Sequence, residues 1–141
     1  MIPGILIVDD NTVMRTMLAN YLGYKAPLLP IASCARAATA LELSRSVAMA
    51  CALVDYCLPD GDGITLAQDL LAHWPHMAIL LLTGHTQTRL HRDAYEAGCV
   101  DVLVKPISLP MLWDAMQPFL TGDVSVLPPD ALVTPCRLPS T

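Results

Sequence analysis

Four short apolar runs in this sequence end in side chains that could bind a cation or a phosphoryl group. Asp9 and Asp10 follow the first of these runs, and Asp55 ends the second. Thr83 stands at the end of the third run, and Lys105 at the end of the fourth. Carboxylates placed together repel one another and raise each other's pKa unless a cation neutralises them. A hard divalent ion such as Mg²⁺, held by one or two carboxylates and several waters, suits such a group.

The same residue types favour phosphoryl chemistry. A metal-bound carboxylate is a competent nucleophile toward a phosphoryl group. Lys105 could pair with a carboxylate at rest and with phosphoryl oxygens afterward, because both are anionic acceptors. Thr83 could donate a hydrogen bond to a phosphoryl oxygen, and Gly84 would leave room beside it. Pro106 fixes the chain after the lysine, and we expect a cis Lys105–Pro106 peptide bond, although most X-Pro bonds are trans.

Each of these residues also has a simpler interpretation when it is taken alone. Asp9 and Asp10 could cap the first helix, although Asn11 or Thr12 could also be its cap, and Asp55 could be an acid in a turn. Thr83 could be a turn hydroxyl, and Lys105 could be a solvated surface amine. The combination favours a binding site, because the ends of four different strands would carry these side chains.

The elements that would position them alternate between short strands and helices. The predicted strands cover residues 4–8, 28–32, 51–55, 77–82 and 100–104. The predicted helices cover residues 11–22, 35–47, 63–73, 86–97 and 108–119, with Gly23 ending the first helix and a turn at 60–62. This alternation indicates right-handed βαβ units and an α/β fold, with a five-stranded parallel sheet and helices on both faces. Ligands bind such sheets outside the carboxyl ends of the strands, where the chemically active residues would meet.

The composition excludes several classes of protein. Of 141 residues, 54% are apolar and 15% are charged, and the mean hydropathy is +0.49. Intrinsically disordered chains have the opposite bias. No apolar run reaches the roughly 18 residues of a membrane-spanning helix, so we expect no membrane association. A sheet buried on both faces would hide the apolar residues.

Charge, cysteines and prolines add three further expectations. The net charge is −5 and the eight basic residues are scattered, which argues against direct nucleic-acid binding. The five cysteines are odd in number and lack metal-ligand spacing, which indicates reduced thiols and a cytoplasmic location. Four prolines lie in residues 121–141, so we expect a domain over 1–120 followed by a Pro-rich tail or linker.

Four motifs of the chain resemble the receiver domain of two-component response regulators, of the chemotaxis-regulator type. The motifs are ILIVDDN, ALVDYCLPDGDG, LLLTG and LVKP. Successive key residues are 45, 28 and 22 positions apart: Asp10, Asp55, Thr83 and Lys105. The resemblance extends over about residues 4–120 and implies a flavodoxin-like (βα)5 fold with the strand order 2-1-3-4-5.

The resemblance implies a regulatory phosphoacceptor rather than an enzyme that acts on other molecules. Asp55 would accept a phosphoryl group from a phosphohistidine of a sensor histidine kinase or of a histidine phosphotransfer protein. The ligands of Mg²⁺ would be Asp9, Asp10, Asp55 and the backbone carbonyl of Cys57. Thr83 and Lys105 would contact the phosphoryl group, and the domain would assist its own phosphorylation and dephosphorylation. The added charge of about −1.5 to −2 would shift a two-state conformation.

Val102 departs from the family pattern. It stands three residues before Lys105, where the family usually has an aromatic residue that swings inward when the threonine moves. The valine keeps an alternative open, in which the domain is a phosphorylation-independent interaction module. An aspartyl phosphatase of the haloacid-dehalogenase type is disfavoured, because the chain lacks the second acid of its DxDx motif.

Other positions matter for hydrolysis and for partners. Cys57 and His85 occupy positions that flank the phosphoryl group in the family and tune its hydrolysis, although each could be an inert loop residue. Val13, Met14 and Met17 include positions that meet the kinase or phosphotransfer helix, and methionine suits an adaptable surface. Val13 or Met17 could instead pack on the sheet. The domain could also form a homodimer.

Overall fold

The computed structural model describes residues 3–120. The strands are β1 (Gly4–Val8), β2 (Ile31–Cys34), β3 (Met49–Asp55), β4 (Cys57–Leu58), β5 (Gly61–Asp62), β6 (Ala78–Thr83) and β7 (Asp101–Val104). The helices are α1 (Thr12–Lys25), α2 (Ala37–Ser46), α3 (Gly63–His73), α4 (Thr88–Glu96) and α5 (Leu109–Leu120). The predicted Pro-rich segment 121–141 lies outside the described residues.

Five strands form one parallel sheet in the order β2-β1-β3-β6-β7. This order confirms the predicted 2-1-3-4-5, because β6 and β7 are the fourth and fifth strands of that sheet. The remaining strands, β4 and β5, pair antiparallel with each other in a separate short ladder. A helix lies between consecutive strands of the main sheet, which is the connection that parallel neighbours require.

Alternate strand residues point to two apolar cores, one on each face of the sheet. On one face Leu6 and Val8 pack with buried residues of α2, α3 and α4. On the other face Ile5 and Ile7 pack with buried residues of α1 and α5. This two-sided burial accounts for the high apolar content of the sequence. Among residues 3–120, no helix is long and apolar enough to cross a membrane.

The register of the sheet brings the strand ends to one edge. Val8 at the end of β1 pairs with Val54 on β3. Thr83 at the end of β6 pairs with Val104 on β7. The residues that follow these pairs therefore lie together at the carboxyl edge, where an open α/β sheet binds ligands.

The main differences from the prediction concern α1, β2 and the predicted turn. The helix α1 continues two residues past Gly23, so the predicted stop is wrong. Leu22 is fully buried, and its packing outweighs the roughly 1 kcal/mol that a helical glycine costs. The strand β2 begins at Ile31, because Pro30 has no N–H for a strand ladder. The turn predicted at 60–62 belongs to the β4–β5 hairpin.

Candidate functional site

Three carboxylates meet at the carboxyl edge of the sheet. Asp9 and Asp10 follow β1, and Asp55 ends the neighbouring strand β3. One carboxylate oxygen of each lies within 4.8 Å of the others. Asp9 is fully buried, Asp55 is 6% exposed, and Asp10 is exposed. Two acids are therefore held in a poorly solvated place, while the third opens to solvent.

The two carboxylate oxygens of Asp9 have different surroundings. Oδ1 accepts a hydrogen bond from the backbone N–H of Asn11 at 2.9 Å. Oδ2 is buried without a hydrogen-bond partner and lies 3.5 Å from Nζ of Lys105. At that distance the ammonium attracts the oxygen but makes no short hydrogen bond. A buried carboxylate oxygen without a hydrogen-bond partner favours a bound cation.

The first turn of α1 fixes the direction in which the acid pair leaves β1. The side chain of Asn11 accepts the backbone N–H of Met14 at 3.0 Å and caps the helix. The simpler interpretation of Asp9 or Asp10 as the helix cap is therefore wrong. Arg15, which the sequence analysis missed, donates from Nη1 to the backbone carbonyl of Asp9 at 2.8 Å.

Lys105 lies between the two buried acids. Its Nζ is 3.2 Å from Oδ1 of Asp55 and 3.5 Å from Oδ2 of Asp9. Burial alone would lower the pKa of Lys105, but the carboxylates of Asp55 and Asp9 outweigh burial and the net pKa is raised. The backbone N–H of Lys105 donates to the carbonyl of Thr83 at 2.7 Å. The Lys105–Pro106 peptide bond is cis, as expected.

Opposing contacts act on the pKa of Asp55. Burial raises the pKa of Asp55, and the negative charge of Asp9 raises it further. The charge and hydrogen bond of Lys105 and a backbone hydrogen bond from Cys57 act in the opposite direction, but the net pKa lies above the ordinary value. A cation among the acids would favour the ionised carboxylate, which is the nucleophilic form.

Thr83 and two glycines shape the space around Asp55. Thr83 is buried, and its Oγ1 accepts the backbone N–H of His85 at 3.0 Å, which leaves the hydroxyl proton available for donation. A Cβ on Gly84 would meet nothing within 4 Å, so this side of the site is open. A Cβ on Gly63 would clash with the backbone carbonyl of Asp55. The close approach of α3 to Asp55 therefore requires glycine at position 63.

The donor set fits a hard divalent cation such as Mg²⁺. The carboxylate donors are Asp9, Asp10 and Asp55. A backbone carbonyl oxygen that could act as a further ligand lies nearby, in the β4–β5 hairpin. The N–H of Gly63 donates to the carbonyl of Tyr56 at 2.7 Å, so Cys57 and Asp62 form a non-hydrogen-bonded pair of the ladder. The hairpin ladder thus does not use the carbonyl of Cys57, which can serve as a further oxygen ligand.

Comparison with known proteins identifies the family. The family model of the response regulator receiver domain matches residues 5–117. The chain belongs to this receiver-domain family. The receiver domain is 34% identical over 103 residues to the DNA-binding transcriptional activator DevR/DosR of Mycobacterium tuberculosis, covering 73% of this chain and 48% of that protein. It is 28% identical over 134 residues to the transcriptional activator protein ExaE of Pseudomonas putida, covering 95% and 63%. The matched part of the chain thus spans between about half and two thirds of the length of these curated relatives.

Solved structures have the same fold as this receiver domain. A CheY-like receiver domain protein from Methanospirillum hungatei has a TM-score of 0.75 and 26% identity, covering 83% of this chain and 92% of that chain. The chemotaxis protein CheY4 of Vibrio cholerae has a TM-score of 0.78 and 21% identity, covering 85% and 100%. The predicted resemblance and fold are thereby confirmed.

The structure places the predicted site residues of the receiver domain at one edge of the sheet. These residues are Asp9, Asp10, Asp55, Thr83, Lys105 and the backbone of Cys57. Val102 is buried, whereas His85 and the side chain of Cys57 are exposed. Val13 is 77% exposed and Met17 is 39% exposed, so neither is buried against the sheet.

Proposed function

We propose that Asp55 accepts a phosphoryl group from a phosphohistidine in a Mg²⁺-dependent reaction. The observation that carries the proposal is the position of Lys105, whose ammonium lies between Asp55 and the buried Asp9. The Oδ2 atom of Asp9 has no hydrogen-bond partner there. The site thus combines a nucleophilic carboxylate, an adjacent ammonium and an oxygen available to a metal ion.

The transfer is a substitution at phosphorus. A carboxylate oxygen of Asp55 attacks the phosphorus atom of the phosphohistidine. The O–P bond forms as the N–P bond breaks, and the imidazole nitrogen keeps the electron pair and takes up a proton. Asp9, Asp10, Asp55 and the carbonyl of Cys57 would hold Mg²⁺, which would neutralise charge at the oxygens of the transferred group.

Two further side chains bind the phosphoryl group in this proposal. Lys105 exchanges its resting contact with Asp55 for a phosphoryl oxygen, because both acceptors are anionic. Thr83 donates its hydroxyl proton to another oxygen. Gly84 leaves the space beside that threonine open, so the donor histidine can approach, and water can later hydrolyse the aspartyl phosphate.

The proposed donor is a sensor histidine kinase or a histidine phosphotransfer protein. The exposed side chains of Val13 and Met17 lie on α1 beside a groove of about 560 Å³, which Tyr21 and Leu109 also line. Adaptable apolar side chains near the acidic site suit a helix that carries the phosphohistidine. Such a donor places the domain in the cytoplasm.

The output of the domain would begin at Thr83. Val102 is buried and too short to act as an aromatic lever. The backbone N–H of His85 donates a hydrogen bond to Oγ1 of Thr83, and the carbonyl oxygen of His85 lies 3.0 Å from Nε2 of His91 on α4. A movement of Thr83 toward a phosphoryl group would therefore pull on the loop before α4.

Acetyl phosphate, a small phosphoryl donor, tests the proposal without a partner protein. The wild-type chain is incubated with acetyl phosphate and either Mg²⁺ or EDTA, and its intact mass is measured. One added phosphoryl mass is expected with Mg²⁺ and none with EDTA. Asp55→Asn should stay unmodified, whereas Asp93→Asn, an exposed substitution on α4, should behave as the wild type. No modification of the wild type, or equal modification of Asp55→Asn, would overturn the proposal.

A further inference from the structure

The hairpin after Asp55 reaches a second helix through Asp60. The two carboxylate oxygens of Asp60 accept the backbone N–H groups of Ala37 and Ala38, at 2.8 and 3.0 Å. These groups begin α2, where N–H groups have no partner within the helix. Arg36 occupies the N-cap position of α2 and makes no side-chain cap hydrogen bond. The cap of α2 is therefore supplied by a residue more than twenty positions later in the chain.

The charge of Asp60 strengthens this contact. The backbone N–H groups of Ala38 and Ala37 hold the pKa of Asp60 below its ordinary value, so the carboxylate is ionised at neutral pH. The first turn of α2 contains no acid of its own. A negative charge at a helix N-terminus is stabilising, and here Asp60 provides it from the hairpin.

The hairpin connects Asp60 to the phosphoacceptor site. Cys57 pairs with Asp62 across the β4–β5 ladder, and the side chain of Leu58 is buried beneath it. Asp62 caps α3 by accepting the backbone N–H of Thr65 at 2.8 Å. The hairpin is thus fastened at the start of α3 through Asp62 and at the start of α2 through Asp60.

We propose that Asp60 is a positioning residue of the phosphoacceptor site. By capping α2 it holds the hairpin, and with it the backbone carbonyl of Cys57, in place for Mg²⁺. The inference rests on the function proposed above. Because coupling between two sites is reciprocal, Mg²⁺ at the acidic site also stabilises the first turn of α2.

Mg²⁺ affinity and amide hydrogen exchange test the inference on the full chain. Asp60→Ala should weaken Mg²⁺ binding, measured by titration calorimetry, by about tenfold, as loss of a residue that orients a metal ligand does. In the wild type, Mg²⁺ should slow exchange at the amides of Ala37 and Ala38, and in Asp60→Ala it should not. Asp69→Ala removes the same charge from an exposed position on α3 and should match the wild type in both measurements.

Asp60→Asn supplies a second, milder variant. It keeps one acceptor oxygen, so it should lose protection at one of the two amides. Its affinity for Mg²⁺ should lie between those of the wild type and Asp60→Ala. Loss of amide protection with unchanged Mg²⁺ affinity in either variant would overturn the positioning role while leaving the proposed function intact. A wild type that takes up no phosphoryl group from acetyl phosphate would instead overturn the proposed function.

Discussion

The ammonium group of Lys105 lies 3.2 Å from Oδ1 of Asp55. In the resting domain this ammonium stabilises the charge of Asp55. After transfer, the same ammonium would contact the phosphoryl oxygens, so Lys105 affects both stability and reactivity. Asp9 adds a second buried carboxylate beside this single lysine. The two acids therefore carry one more negative charge than Lys105 neutralises, and a further cation would balance it.

Asp55→Asn should stabilise the domain in the absence of Mg²⁺. Burial, with the charge of Asp9, raises the folded-state pKa of Asp55. A raised pKa means that the folded state favours the neutral carboxyl group. The contribution of this group to the free energy of unfolding is therefore complete below its unfolded pKa of about 3.9, and it is lost as the pH rises through the folded pKa. Because pH 7 lies above the unfolded pKa, the carboxyl group opposes folding there, so the asparagine variant should have the higher Tm at pH 7 in EDTA.

The pH dependence provides the control for that prediction. The Tm difference between wild type and Asp55→Asn should shrink as the pH falls toward about 3.9. It should also shrink when Mg²⁺ is added, because a cation that binds only the folded wild type stabilises it. A wild type more stable than Asp55→Asn at pH 7 in EDTA would contradict the electrostatic account.

Lys105→Met should strengthen Mg²⁺ binding and weaken phosphoryl uptake. The substitution removes an ammonium that competes with Mg²⁺ for Asp55 and Asp9. It also removes a contact to the phosphoryl group, so phosphorylation by acetyl phosphate should slow by at least about tenfold. Titration calorimetry and intact-mass time courses measure the two effects. Equal losses of Mg²⁺ affinity and of phosphorylation would indicate a damaged fold instead.

Lys105 should also shape the alkaline limb of the stability profile. The net pKa of Lys105 is raised although burial opposes this, because Asp55 and Asp9 attract the charged form. Its contribution to stability is therefore complete below the unfolded pKa of about 10.4 and is lost as the pH rises through the folded pKa. Denaturation at increasing pH, from below to above about 10.4, should show this loss in the wild type and not in Lys105→Met.

Gly63→Ala should destabilise the domain, whereas Gly84→Ala should not. The new Cβ at position 63 would clash with the backbone carbonyl of Asp55, and overpacking of this kind costs about 1–3 kcal/mol. A Cβ at position 84 meets nothing within 4 Å, so the change in unfolding free energy should stay within about 0.5 kcal/mol. Urea denaturation of both variants provides the comparison, and similar losses in the two would refute the packing argument.

His91→Ala should uncouple α4 from the phosphoacceptor site. Beryllofluoride, which mimics a phosphoryl group on an aspartate, should shift the NMR amide signals of His85 and of the start of α4 in the wild type. Without the contact between His91 and the carbonyl of His85, the shifts should persist at His85 and fall in α4. Unchanged shifts throughout α4 would show that the signal takes another route.

The strands, and the residues at the carboxyl edge of the sheet, could be predicted because each depends on residues that are neighbours in the sequence. Parallel strands buried on two faces read as continuous apolar runs, and residues such as Asp55 and Thr83 stand where those runs end. The cap of α1 could be predicted as well, because Asn11 stands next to the helix that it caps. Two long-range contacts could not be predicted in this way. Asp60 reaches α2 and Arg15 reaches the carbonyl of Asp9 only after the elements have packed. The extension of α1 beyond Gly23 depends likewise on tertiary burial rather than on local propensity.

The central claim is tested most directly by mapping the phosphoryl group along the chain. The wild type is treated with acetyl phosphate and Mg²⁺, reduced with borohydride, which converts an aspartyl phosphate to homoserine, and digested for mass spectrometry. The account predicts homoserine at position 55 alone, and none in an Asp55→Asn chain treated in the same way. Homoserine at another acid of the site, or a phosphorylated chain with Asp55 unaltered, would contradict it.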